Sequence, residues 1–295
     1  MIPISSLIVV LFSGFIQGCL YALMSAGVTF QWGISRDLNF ALGAMATWGA
    51  YIVWSLLCAS TFKLGYVESI LVMVIIVFLA GLASNYLVLR PLRHKANATI
   101  NIFVATLGLA TFLENAALLV FGGRLKQLPP LLEGTVSLGP MYVSVHKILI
   151  ACVALSVLVV LGLFLNKTRI GLATRATAQD KEAALLMGIN VERSYAIAVG
   201  MATVFVGLAG VLLGSILFIT PTMGTTPLLK AFFVVVLGGL GSIKGTIYAS
   251  FVIGEIEAIA MYLLGIFWAS PVLFSIMILM LLVRPEGFYG EREIS

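Results

Sequence analysis

Apolar runs long enough to cross a bilayer follow one another along nearly the whole chain, and nothing else in the sequence restricts the fold as much. They lie at about 7–30, 38–58, 66–89, 99–121, 147–165, 195–217, 228–241, 245–265 and 267–284. A helix rises about 1.5 Å per residue, so roughly 20 residues cross a hydrocarbon core. Lipid offers no partner for backbone N–H and C=O groups, and segments of this kind satisfy them internally as helices. Hydrophobic residues form 61% of the 295-residue chain and charged residues 10%, whereas a soluble domain carries about 25% charged residues. The fold class is therefore all-α: a polytopic membrane protein with about 8–10 transmembrane or re-entrant helices, read as one transmembrane domain over residues 1–295.

The run at 228–241 is short and leads into the glycine-rich Leu237–Gly245 (LGGLGSIKG). It reads as a broken or re-entrant element, which survives at membrane depth only when surrounded by protein or a water-filled cavity. Glycine-rich stretches near 39–49 and 237–254 lie in opposite halves and read as equivalent parts of an internal repeat. The three cysteines fall inside apolar runs without disulfide spacing and read as core residues. No Lys or Arg precedes Arg36, so the N-terminus lacks a signal peptide's charged region and reads as a retained first span.

Between the fifth and sixth runs, at about 166–194, the charges Arg169, Arg175, Asp180, Lys181, Glu182, Glu192 and Arg193 exclude burial in hydrocarbon. Thr177 with Asp180 three residues on reads as a capping-box-like start. Gly188 stands where a left-handed residue would stop the helix. Ala183, Leu186 and Met187 share one face of this short helix, about 178–187. If this excursion is cytoplasmic and nine passages occur, twelve Lys and Arg residues lie inside. Only Lys63, Arg124, Lys126, Lys147 and Lys230 lie outside. That is the positive-inside bias, with the N-terminus outside and the C-terminus inside. The pI near 9.2 then reflects basic loops and implies no nucleic-acid partner.

Catalytic machinery is not legible. His94 and His146 fall on opposite sides, no triad or metal constellation can be assembled, and Gly238–Gly245 lacks the order of a phosphate-binding loop. The chain reads as no enzyme, with neither catalytic nor metal-binding residues. Ionisable residues at membrane depth mark pathways or buried networks. Here they are Glu114, Glu255 and Glu257, the last two on different helix faces. Asn39 opens a helix in which Gly43 and Gly49 allow close backbone approach.

LNFALGAM followed by GAY, RPLRH, ATRATAQDKEAALLMGIN, LLKAFFVVVLGGLGSIKGTIYASFVIGEIEAI and LLVRPEGFYG resemble one permease family in order and over nearly the whole chain. The family is the membrane subunit of branched-chain amino-acid ABC transporters, of the type with an Asn-Phe motif in its second span. The resemblance implies a second homologous permease as heterodimer partner, two cytoplasmic ATPases and a periplasmic or extracellular substrate-binding protein. It implies the cytoplasmic (inner) membrane of a bacterium or archaeon, and no cofactor on this chain, since ATP and Mg would sit on the ATPases. The 166–194 stretch would couple to an ATPase through Arg175, Lys181, Glu182, Ala183, Ala184, Leu186, Met187 and Gly188. The substrate pathway is expected along Asn39, Phe40, Gly43, Glu114, Gly238, Gly239, Gly241, Ser242 and Glu257. Leu42 and Ala44 depart from the family's usual histidine and acidic residue, and relatives of this architecture also carry urea or short amides. A stand-alone channel or secondary transporter is the alternative, one that has no need to display the surface helix.

Overall fold

The computed structural model describes residues 4–59, 64–138, 141–284 and 287–289. Lys63, Arg292 and part of the terminal LLVRPEGFYG motif lie outside them. Helices dominate, as the apolar runs require: α1 (Ile4–Ser35), α2 (Ala41–Trp54), α3 (Tyr66–Ser84), the short α4 (Arg90–Arg93), α5 (Ala98–Phe121) and α6 (Val145–Lys167). After two surface helices, α7 (Arg169–Gln179) and α8 (Lys181–Leu186), come α9 (Val191–Ile216), α10 (Thr225–Gly238), α11 (Ile243–Leu264) and α12 (Ile266–Val283). Among the described residues eight segments are long and apolar enough to cross a membrane, and α10 is a shorter apolar helix.

Two π-helical stretches interrupt the pattern: Ser55–Ala59 extends α2, and Asn85–Leu89 joins α3 to α4. The second has a local cause. Pro91 carries no N–H and its ring crowds the carbonyl four residues back, at Leu87, so the regular ladder cannot continue. A hairpin, β1 (Thr135–Leu138) with β2 (Met141–Ser144), folds the loop between α5 and α6. Lys126 pairs with Ile219 in an isolated bridge that ties this loop to the end of α9.

The bundle is built around α9, whose buried residues include Gly200, Gly207, Gly210 and Gly214. Small residues there let neighbouring backbones come close, which is how membrane helices gain dispersion without a hydrophobic force between them. Helices α5, α6 and α12 lie at the periphery, with mainly exposed apolar faces. Cys19 is buried as expected, but Cys58 and Cys152 are exposed on helix exteriors. An apolar run does not separate core from lipid-facing positions, so the core reading of these two was wrong.

α1 and α11 run antiparallel in close contact. A Cβ built on Gly254 would lie 2.5 Å from the Gly18 nitrogen and 2.6 Å from the Gly14 oxygen. Valine there must force the two helices apart. We expect Gly254→Val to lower the stability of the solubilised chain by about 3 kcal/mol, read as a lower thermal unfolding midpoint. Gly108 has nothing within 4 Å, and Gly108→Val should leave that midpoint nearly unchanged.

Successive spans alternate in direction, so the charged residues sort to two ends. One end holds Asp37, Arg93 and Glu192, and with them eleven cations: Arg36, Arg90, Arg93, Lys95, Lys167, Arg169, Arg175, Lys181, Arg193, Lys244 and Arg284. The other end holds Arg124, Lys126 and Lys147. Lys230 belongs to neither. It lies inside the bundle against Glu257, a correction to its placement outside, because the descent into α10 begins before the apolar run does.

Candidate functional site

The start of α2 is fixed by Asn39, which is buried. Its Oδ1 accepts from the Ala41 N–H at 3.1 Å, and its Nδ2 donates to Gln31 Oε1 at 3.2 Å. Phe40 stacks on Phe232 of α10 at 4.8 Å between centroids and meets Phe103 of α5 edge-on at 5.1 Å. Gly43 and Gly224 face each other reciprocally: a Cβ on Gly43 would lie 3.0 Å from the Gly224 oxygen, and one on Gly224 would strike the Gly43 carbonyl. Thr47 Oγ1 accepts from the Gly224 N–H at 3.0 Å, and Thr225 donates to Glu114 Oε1 at 2.8 Å. Phe40, Gly43 and Glu114 thus lie along the seam of α2, α5 and α10, while Asn39 turns back to α1 through Gln31.

α10 has 14 residues, about 21 Å of helix, too little for a hydrocarbon core of about 30 Å. The missing depth is covered by the non-helical residues 217–224, with Gly224 held on α2. The break expected after this apolar run therefore stands before it. The glycine run instead makes the turn into α11 at the cation-rich end. There Gly239 and Gly241 have φ of 98° and 88°, and Ser242 caps α11 by accepting from the Gly245 N–H at 3.2 Å. Gly238 abuts the Gly245–Thr246 backbone, and its carbonyl accepts from the Tyr289 N–H at 3.2 Å. A Cβ on Gly241 would lie 3.6 Å from the Gly33 Cα, so the turn packs on the end of α1, two residues from the Gln31 that Asn39 donates to.

Glu257 sits in a separate buried cluster. Its Oε1 lies 2.5 Å from Lys230 Nζ, and its Oε2 accepts from the Tyr21 hydroxyl at 2.5 Å. The same hydroxyl accepts from Gln17 Nε2 at 3.0 Å and from Lys230 Nζ at 3.2 Å. Above the cluster opens a cavity of about 590 Å³ between α1, the C-terminal end of α9 and the head of α10, reaching Lys147. Glu255, two residues earlier, points to a different face, where Oε2 is buried against Gly14 without a hydrogen-bond partner. The separate faces expected for the two glutamates are what the helix produces.

At the cation-rich end the surface excursion is two helices, not one over 178–187. Asp180 breaks it: its Oδ1 accepts from the Glu182 and Ala183 N–H groups at 2.8 and 3.0 Å. A carboxylate at that position satisfies the first N–H groups of α8 and ends α7. Thr177 is not the cap. It is buried inside α7, donates to the Ala173 carbonyl at 2.9 Å and lies 3.2 Å from Ser194 Oγ. Gly188 does stop the helix, with φ of 78°. Its N–H donates to the Leu185 carbonyl and that of Ile189 to the Ala184 carbonyl, both at 3.0 Å, which is the Schellman pattern. Ala184 is buried inward, while Ala183 is exposed and Leu186 and Met187 are 90% and 82% exposed. Arg175 donates to Asn166 Oδ1 at 2.7 Å, and Lys181 and Glu182 point to solvent.

The profile of the family described as branched-chain amino acid transport system, permease component, matches residues 10–283. The chain belongs to this family. It is 32% identical to the high-affinity branched-chain amino acid transport system permease protein BraD of Pseudomonas aeruginosa, over 97% of this chain and 96% of that one. The LivH permease protein of Escherichia coli K12 is 30% identical over the same shares. A probable LivH of Methanocaldococcus jannaschii is 28% identical over 92% of this chain and 89% of its own. No solved structure matches.

In this permease, Leu42 and Ala44 stand where the family resemblance expected polar side chains, and both are buried in the bundle. Sequence reasoning missed Gln17, Tyr21 and Lys230. Lys230 carried a signal, a cation adjoining an apolar run, but loop counting absorbed it. Tyr21 carried none, since one tyrosine in an apolar helix announces no partner 236 residues away. Among the described residues no group of His, Cys, Asp and Glu could hold a metal ion.

Proposed function

We propose that this permease is one membrane subunit of an ATP-binding cassette importer that moves a small polar solute, such as a branched-chain amino acid, across a cytoplasmic membrane. Two cytoplasmic ATPases would bind ATP and Mg and drive it, beside a second homologous permease and an external binding protein. The observation that carries the reading is α8: a capped surface helix whose apolar residues Leu186 and Met187 remain uncovered by the rest of the chain. Exposed side chains of this size, set at the cation-rich and therefore cytoplasmic end, favour a protein partner that covers them. The relatives are permease components of transport systems, which accords with further subunits.

The pathway would run along α10, between the cavity above Lys230 and Glu257 and the junction with α2 and α5. At that junction a non-helical segment at membrane depth leads into α10, and the Gly43–Gly224 contact holds its head on α2. The test is uptake of labelled leucine by proteoliposomes holding the full assembly. Uptake is expected only with hydrolysable ATP and the binding protein on the proper sides. Rapid equilibration through this permease alone, with no ATPase present, would instead make it a channel or secondary carrier.

A further inference from the structure

The charged side chains that line the 590 Å³ cavity are both lysines, Lys147 towards its mouth and Lys230 at its floor. Its volume lies within the roughly 300–1,000 Å³ typical of small-molecule sites. Glu257 does not line the cavity. It lies behind Lys230, 3% exposed against 16% for the lysine, and both its oxygens are already engaged. An ammonium has three N–H donors. Lys230 gives one to Glu257 and one to the Tyr21 hydroxyl, so the third has no partner among the described residues. A half-buried cation with an unused donor, fixed from behind by an anion and facing an open cavity, is a receptor for a negative group. Leu20, Leu213 and Ile216 give the cavity an apolar wall, beside the polar Gln17, Thr220 and Thr222.

We infer that Lys230 binds the carboxylate of the transported solute, with Glu257 and Tyr21 as positioning residues that hold its ammonium towards the cavity and the apolar wall taking an aliphatic tail. The inference rests on the reading of this chain as a permease and narrows its cargo. Urea and neutral amides lack the group that Lys230 would meet, whereas aliphatic amino acids and acids carry it. A charge-assisted contact is stronger than one between neutral groups, and the ion pair behind Lys230 keeps its partial burial tolerable.

The decisive experiment compares 4-methylpentanoate with 4-methylpentan-1-ol, which share a tail and differ in the carboxylate. Each competes with labelled leucine for the full membrane and ATPase assembly, without binding protein so that its selectivity plays no part. The acid should bind at least about tenfold more tightly. Lys230→Met with Glu257→Gln, which leaves no unpaired charge, should erase that preference, and Lys230→Arg should keep most of it. Equal competition by acid and alcohol, competition by neither, or a preference that survives the double variant would overturn the inference. If the double variant does not assemble, the wild-type comparison decides alone. Failure of the permease reading is distinguishable, because it appears as ATP-independent uptake whatever the selectivity.

Discussion

Ala183→Arg is expected to reduce ATP-driven uptake to background while the permease still folds and reaches the membrane. Ala183 is exposed on α8 beside Leu186 and Met187, so a long cation there displaces nothing within the chain. Against a partner groove it does: the small side chain sets the distance of approach, and arginine would fill the space meant for the partner backbone. At about 25 cal/mol per Å², even a few hundred Å² of covered apolar surface is worth several kcal/mol before the costs of association, enough to hold the contact while the ATPases move. The measurement is copurification of the ATPase with uptake from the same preparation. Loss of the ATPase, or retention with uncoupled hydrolysis, is the expected result. Wild-type uptake with wild-type association would remove α8 as the coupling element, leaving a helix that rests on headgroups.

Asp37→Ala should destabilise the chain by about 3–5 kcal/mol, and Arg93→Ala by a similar amount. Arg93 Nε donates to Asp37 Oδ2 at 2.8 Å, and Nη2 approaches the same oxygen at 2.7 Å, with side chains only 9% and 8% exposed. Nη2 makes no directional hydrogen bond, so the Nε bond carries the geometry and the Nη2 approach adds charge. Arg93 also donates to Asn85 Oδ1 at 3.0 Å and covers the Tyr195 ring at 4.6 Å, tying the α1–α2 corner to α3 and α9. Removing one partner leaves the other charged and buried, whereas removing both leaves neither. The double variant Asp37→Leu, Arg93→Leu should therefore recover much of the loss, as a double-mutant cycle in thermal unfolding would register. If the singles cost less than about 1 kcal/mol, the pair is solvated and holds nothing.

This pair also sets a pH dependence. Burial pushes the Asp37 carboxyl up from its ordinary value, more than Arg93 draws it down. The folded chain therefore holds this proton to higher pH than the unfolded chain, so the contribution is greatest in acid and falls as pH rises through the raised value. Asp37→Asn should flatten that part of the stability profile.

Much was decided by the sequence itself. The spans follow from it because each long apolar run has only one way to satisfy its backbone in lipid. Gly188 stops α8 because a residue with a Cβ resists its positive φ, and that requirement is local. The sorting of cations to two ends follows from the same run boundaries, with the exception of Lys230.

Tertiary structure decided the partners. Periodicity tells which face of a helix is apolar, not which residue of another helix will lie opposite. Lys230 became a cavity residue because residues 217–224 enter the bundle without helix before α10 begins. That descent depends on Gly224 meeting Gly43 and Thr47 across 177 residues or more of chain. Asp180 rather than Thr177 became the cap because Thr177 could turn inward to Ser194, a neighbour supplied only once α9 packs beside α7. Glu257 is a buried counter-ion rather than a lipid-facing acid for the same reason: its two partners come from α1 and α10, and only the folded bundle brings both within hydrogen-bond distance.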